Sequence, residues 1–349
     1  MVILIELAHP RHFYQFMAVS ELLKRRGHTV IVAATDRQLL VEILKESGVN
    51  FILFKHTKSG SRFKKLCSYL GRLKQFRSVV LQNNIDVYIS KASIDTFIVK
   101  VIRKKVMTVI FPDSQHSWLT NNFVRYYADL ILLSIIFPFQ WPAHKVVRVN
   151  GTCENCYLDP KYLQVVTLNP QDYGYLPDSK FVFFRFVAFN ASHDIGQYGF
   201  TKNQRVELVK LFVAFGYTPL ISFEDEPDSE LIEHINRFPK SKIRSVLLLC
   251  EYFVGDSQSM AAESALLGLK SFRYNSWVLD DSINFKYFNH KKLLLNYACF
   301  DKLKDDLVRS LEGKLDFFQP VAGYWEECED VNTTICDVIE KRFKSFSLR

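Results

Sequence analysis

Long apolar runs, a cysteine framework and a glycine fingerprint are all missing from this 349-residue sequence, and each absence excludes a class of protein. The longest apolar run beyond the start is ADLILLSIIFPF, residues 128–139, and it carries two polar positions. A membrane-spanning helix needs roughly 20 apolar residues, so this run is expected to be a buried strand and its exit loop. The opening MVILIELAHP has no basic stretch ahead of its apolar residues, which are too few and too early for a secretory signal. The seven cysteines are odd in number and scattered, which argues against disulfide scaffolding. Cys153 and Cys156 form a CxxC, but no second pair or histidine stands at zinc spacing, so no metal role is read into it. A reduced, cytoplasmic, soluble protein is expected.

Acidic residues are missing from one long stretch as well. None lies between Lys55 and Ile85, while Lys55, Lys58, Arg62, Lys64, Lys65, Arg72, Lys74 and Arg77 all do. The net charge of +8 is therefore unevenly spread. Phe63, Leu66, Leu70, Leu73 and Phe76 recur at near-helical spacing, so 55–77 reads as a basic amphipathic segment. Two uses stay open. The segment lies on an anionic membrane or grips phosphates, or it is a helix with one face in the core and a solvated cationic face.

What is present is an alternation. At 48% hydrophobic and 23% charged residues the chain can bury a normal core, and its length suits two domains. VILIEL, TVIVAAT, NFILF, DVYIS, VMTVIF and DLILLS are short apolar strands with helical patterns between them. Such a series makes parallel βαβ units. The pattern breaks into turn-rich sequence between Pro142 and Pro170, where the domain boundary is placed. A second series follows: FVFFRFVAF, a helix over TKNQRVELVKLFVAFG, TPLISF, a helix over SELIEHINRF, SVLLL or YFVGD, a helix over MAAESALLG, and KSFRY. The expected fold is α/β, with two Rossmann-like domains, 1–150 and 151–325, whose parallel sheets face across a cleft. An amphipathic helix over 326–349 is free to cross back to the first domain. EDEPDSE at 224–230 is expected to be a solvated loop.

The stretch GDSQSMAAESALLGLKSFRY, residues 255–274, is the most informative. A parallel strand ending at Val254 delivers the chain to the ligand end of its sheet. Ser257, Gln258 and Ser259 then stand where a helix begins, and Glu263 falls one turn in. The amino end of a helix attracts phosphate, and a carboxylate one turn on can accept from a ribose diol. The same residues also suit an ordinary cap with a first-turn acid. The turn lacks the glycines of a dinucleotide fingerprint, so it carries no hydride-transfer signature.

The order of strand, small polar turn, helix with Glu, Leu-Gly and strand resembles the sugar-nucleotide site of GT-B glycosyltransferases and UDP-N-acetylglucosamine 2-epimerases. LIELAHPRHFYQF, KASIDTF, FPDSQHS, VNGTCENCYLDP, FRFVAFNASHDIG and GDSQSMAAESALLGLKSFRYNS together resemble a family of predicted prokaryotic glycosyltransferases of this architecture. The resemblance spans most of the chain. It implies that Ser257, Gln258 and Ser259 meet a donor diphosphate and that Glu263 meets the ribose. It also implies an acceptor-side first domain and a nucleotide-sugar-binding second one.

Other candidates follow strand ends. His12, with His9 behind it, lies in AHPRHF where the first helix starts, and a neutral imidazole there could take a proton from an acceptor hydroxyl. Its alternative is a cap or packing residue. Asp113 in FPDSQHS is the alternative base, with His116 as its partner or an acceptor contact; an exposed turn is the competing reading. His193 and Asp194 in NASHDIGQYG are expected to line the donor cleft, and Arg185 or His193 to help neutralise a leaving diphosphate. Arg185 also fits a buried, paired role. Arg273 and Asn275 are expected to read the sugar, and Glu154 at the crossover has no assigned role. No DxD-like metal motif stands at a strand end, so no metal and no cofactor are expected beyond the nucleotide-diphosphate sugar as substrate.

The leading expectation is a metal-independent glycosyltransferase acting on a glycan, lipid-linked or not, in surface polysaccharide or glycoconjugate synthesis. Segment 55–77 would hold it peripherally at the inner face of the plasma membrane. Nucleic acid is not expected as a partner. The alternative is a nucleotide-sugar 2-epimerase. Against it stands the place after DVYIS, where such enzymes need an aspartate: this chain has Lys91, Ala92 and Ser93, with Asp95 displaced. A non-catalytic sugar-nucleotide-binding module is a third class.

Overall fold

A computed structural model describes residues 1–54, 62–112, 118–188, 196–277 and 283–348; for residues 38, 62–70, 118–121 and 284 it describes the backbone alone. The chain divides into two compact units, 1–162 with 328–349, and 163–327.

The first unit opens with β1 (Val2–Leu7), α1 (Pro10–Arg25), β2 (Thr29–Thr35), α2 (Gln38–Glu46), β3 (Phe51–Phe54) and α3 (Arg62–Gln82). It continues through β4 (Val87–Lys91), α4 (Asp95–Ile102), β5 (Met107–Phe111), α5 (Trp118–Tyr127), β6 (Leu130–Ser134), β7 (Val146–Val149) and α6 (Asn155–Leu158). Its strands form one sheet in the order β3-β2-β1-β4-β5-β6-β7, every described pairing parallel. VILIEL is apolar at nearly every position because helices cover both faces; Ile3, Leu4, Ile5 and Leu7 are fully buried. The segment 151–162 belongs to this unit because α6 packs on α1, where the rings of Tyr14 and Tyr157 lie 5.9 Å apart.

The second unit holds β8 (Lys180–Phe186), α7 (Lys202–Ala214), β9 (Tyr217–Phe223), α8 (Ile243–Leu247), β10 (Cys250–Gly255) and α9 (Gln258–Leu266). β11 (Lys270–Tyr274), α10 (Ile283–His290), β12 (Leu294–Tyr297), α11 (Phe300–Leu311) and α12 (Val321–Glu327) complete it. Its sheet runs β12-β11-β10-β8-β9, again parallel. Phe184, Phe212, Val254, Phe272 and Leu303 anchor the core on one face. The chain then returns to the first unit as α13 (Val331–Phe346), capped by Asp330, with Ile335, Cys336 and Ile339 buried.

Three local expectations change. The helix expected over SELIEHINRF is a short 3-10 turn at Ser229–His234, because Ile235 bridges to Ile221 and the Asn236 N–H donates to the Ile221 carbonyl. SVLL belongs to α8 and its exit, and the strand is the Cys250–Gly255 segment. EDEPDSE is not wholly solvated: Asp228 accepts from Arg205 Nε at 2.7 Å and Nη2 at 2.9 Å, tying the loop to α7.

The basic segment also departs from a plain cationic surface. Residues 55–61 lie outside the described residues. In α3, Lys74 and Arg77 are exposed and Phe76 is in the core, but Arg72 is buried. Its guanidinium donates to both carboxylate oxygens of Asp95, with Nε at 3.0 Å from one and Nη2 at 2.7 Å from the other. It also donates to Glu6, which in turn accepts from the Tyr88 hydroxyl.

Candidate active site

The turn after β10 is built from both sides. Gly255 stands level with Arg185 of β8 and with Arg273 of β11. Arg185 is itself level with Ser222 of β9, and Arg273 with Asn296 of β12. Ser222, Arg185, Gly255, Arg273 and Asn296 thus form one row across the carboxyl end of the sheet. Phe184, Phe186, Val254, Phe272 and Tyr274 point into the core on the other face, so the row shares the face that α9 covers. The glycine is required: a Cβ at 255 would come within 2.7 Å of the Arg185 carbonyl oxygen.

Each arginine is held from its outer side. Arg185, half-buried, donates from Nη1 to Ser222 Oγ at 2.8 Å, and its Nη2 lies 4.0 Å from Glu224. Arg273 has 0% exposure and donates to Asn296 Oδ1 and Asn275 Oδ1, both at 2.6 Å. Its guanidinium lies 4.2 Å from the Phe285 ring centre. Burial draws Arg273 down to about 9, although the Asp256 charge pulls the other way. Asn275 is 1% exposed and donates from Nδ2 to the Asp256 carbonyl at 2.8 Å. Arg273 and Asn275, expected to read a sugar, therefore lie beneath the surface and brace the turn instead.

Asp256 is the other brace, a residue to which the sequence alone assigns no role. Its carboxylate accepts from the Val187 N–H at 2.8 Å and the Phe200 N–H at 3.3 Å, tying the end of β8 to the approach of α7. Burial pushes it up to about 7, against the lowering effect of those N–H groups. Ser257 follows as the N-cap of α9, its hydroxyl accepting from the Met260 N–H at 3.5 Å. Gln258 and Ser259 are exposed. Capping and ligand contact are compatible here, because one hydroxyl satisfies only one of the unpaired N–H groups of the first turn. Glu263 is half-buried, 3.6 Å from Arg244 Nε of α8. His193 and Asp194 lie outside the described residues.

In the first unit, α1 starts at a matching strand end. His9 caps it, accepting at Nδ1 from the Arg11 N–H at 3.2 Å. His12 Nδ1 accepts from the Ala8 N–H at 3.2 Å. In a neutral ring that bond places the proton on Nε2, so the acceptor nitrogen of His12 is already engaged. A proton-accepting role for His12 is therefore disfavoured in this arrangement. Arg11, which no sequence motif singles out, reaches the CxxC segment, donating to Cys153 Sγ at 2.7 Å and to the buried Glu154. Burial alone would push Glu154 up; the Arg11 charge and the Thr152 and Cys153 bonds hold it below the usual carboxylate range. Glu154 thus anchors Arg11. Asp113 and His116 lie outside the described residues. Among the described residues no three of His, Cys, Asp and Glu gather as a metal would need, and no helix is long and apolar enough to cross a membrane.

No family model and no curated protein matches the chain. Solved structures do. UDP-GlcNAc 2-epimerase from Neisseria meningitidis, bound to UDP-GlcNAc, superposes with a TM-score of 0.67 at 12% identity, covering 99% of this chain and 100% of its own. Glycosyltransferase VinC in complex with dTDP gives 0.61 at 12%, covering 99% and 100%, and MurG from Acinetobacter baumannii gives 0.63 at 11%, covering 97% and 99%. The chain has the GT-B fold. An epimerase and a glycosyltransferase both stand among these neighbours, so the GT-B fold alone does not choose between them.

Proposed function

We propose that the protein is a metal-independent glycosyltransferase that takes its sugar from a nucleotide-diphosphate donor held by the second unit. The observation carrying this reading is the amino end of α9, set between two strand-end arginines with a glycine between them. A helix amino end favours anions, and the fold is one in which UDP-GlcNAc and dTDP are bound by other proteins. In this reading the N–H groups and hydroxyls of Ser257–Ser259 meet the diphosphate, and Glu263, held by Arg244, accepts from the ribose.

In the first unit, Asp113 serves as the base that takes the proton of the acceptor hydroxyl, because the acceptor nitrogen of His12 is occupied. The acceptor is a glycan, lipid-linked where the basic face around Lys74 and Arg77 meets an anionic membrane. The epimerase reading would call on Asp95 for elimination chemistry, and that carboxylate is committed to Arg72 in a buried cluster, which favours transfer.

A thermal-shift panel of nucleotides and nucleotide sugars tests the donor site. A ligand at a hundredfold its Kd stabilises by about 2.7 kcal/mol, so one diphosphate should raise the Tm clearly above the rest. Incubating that nucleotide sugar alone, then with glycan acceptors, separates the two activities. Conversion without acceptor would establish the epimerase instead.

A further inference from the structure

A buried arginine is ordinarily matched by a carboxylate, because an unpaired charge away from water is costly. Arg273 is not matched. Its described partners are two neutral asparagines and one aromatic face, and its Nε has no hydrogen-bond partner. Among the described residues no carboxylate lies within ion-pairing distance. The nearest acid acting on it, Asp256, is turned to the backbone N–H groups of Val187 and Phe200.

The wiring of this charge is directional. Arg273 donates to Asn275 Oδ1, and Asn275 donates to the Asp256 carbonyl. That carbonyl shares its peptide with the Ser257 N–H, at the start of α9. Loading the carbonyl with a donor strengthens the N–H of the same peptide as a donor in turn. A cation two hydrogen bonds away, in a low-dielectric setting, thus sharpens the anion preference of the helix end.

We propose that Arg273 is a positioning residue whose missing counter-charge is supplied by the ligand: the protein carries an uncompensated buried cation that a pyrophosphoryl group, bound over Ser257–Ser259, neutralises. This rests on the donor-site reading above and adds to it the residue that sets the site's charge selectivity. It also places Arg273 out of direct contact, behind Asn275.

The test supplies the counter-charge from within. Asn296→Asp is nearly isosteric and sets a carboxylate against the guanidinium. Inorganic pyrophosphate and UDP, GDP and dTDP are titrated by calorimetry against the full chain, with ligand-free Tm measured in parallel. Asn296→Asp should raise the ligand-free Tm and weaken pyrophosphate and the wild type's preferred nucleoside diphosphate at least tenfold. Arg273→Met should weaken the same ligands at least tenfold, and Arg273→Lys should recover part of the affinity. A merely structural arginine would instead leave the affinity unchanged in Asn296→Asp, whatever Arg273→Met does to the ligand-free Tm. Should the wild type bind while Asn296→Asp binds equally well, this inference falls and the donor site stands. Should the wild type take neither pyrophosphate nor any of the diphosphates, both fall together.

Discussion

Two buried arginines, one in each unit, are treated in opposite ways. Arg72 faces two carboxylates, Glu6 and Asp95, with Tyr88 and Thr35 completing the shell. Arg273 faces two amides and a ring. The first cluster carries more negative than positive groups, and it answers the excess internally: burial first, and the Asp95 charge second, push Glu6 up to about 8. The second keeps its excess positive. Both clusters sit at the carboxyl ends of parallel strands, so position alone does not decide the difference. A satisfied cluster fixes structure, whereas an unsatisfied one is poised for a ligand.

The largest expected effect comes from Arg72→Met, which strands two buried acids. Breaking a buried pair by removing one partner costs about 3–5 kcal/mol, so urea denaturation should show a loss of that order. Arg273→Met strands no acid, and equal losses in both variants would erase the contrast between the two clusters.

The second effect is in pH. An unfolded glutamate titrates near the ordinary 4.5 and the folded Glu6 near 8, so the folded protein binds the additional proton between those values. Stability from this group is full below the lower value and is lost as the pH rises through the window. Asp256, raised to about 7, slopes the same way, so the informative quantity is a difference between variants. Glu6→Gln, a mimic of the protonated side chain, should gain at least ~1.4 kcal/mol on wild type between pH 5 and pH 8.5. A constant difference in melts across that range would mean Glu6 is ionised throughout.

Two smaller effects sharpen the second unit. Glu263→Ala should weaken nucleoside diphosphates by roughly tenfold, about 1.4 kcal/mol, and leave pyrophosphate unchanged, because only the former carries a ribose. Unchanged nucleotide affinity in calorimetry would remove Glu263 from the site. Ser257→Ala should cost about 1 kcal/mol of stability through the lost cap, visible as a lower denaturation midpoint.

Much of this was legible in the sequence. The two βα series could be seen because strands buried on both faces are apolar almost throughout, as VILIEL and KFVFFRF are. The position of the 255–263 turn followed from a strand giving way to small polar residues. The fate of Arg72 was hidden, because its partners stand 66 and 23 residues away and the surrounding stretch contains no acid. Arg273 was likewise hidden in kind: its charge could be read, but the absence of a countering carboxylate is a property of packing. The helix expected at SELIEHINRF failed because pairing of Ile235 and Asn236 with β9 outweighed a periodicity that is real but short. His12 was placed correctly at a helix start, yet only its bond from Ala8 shows which nitrogen is occupied.

The return of the chain to its first unit has a consequence for synthesis. The second unit, 163–327, is continuous and can fold as soon as it leaves the ribosome. The first cannot, since the helix that covers part of its apolar surface with Ile335, Cys336 and Ile339 is translated after the whole of the second unit. During that interval all seven strands of the first sheet are already made, while the surface that α13 covers waits exposed.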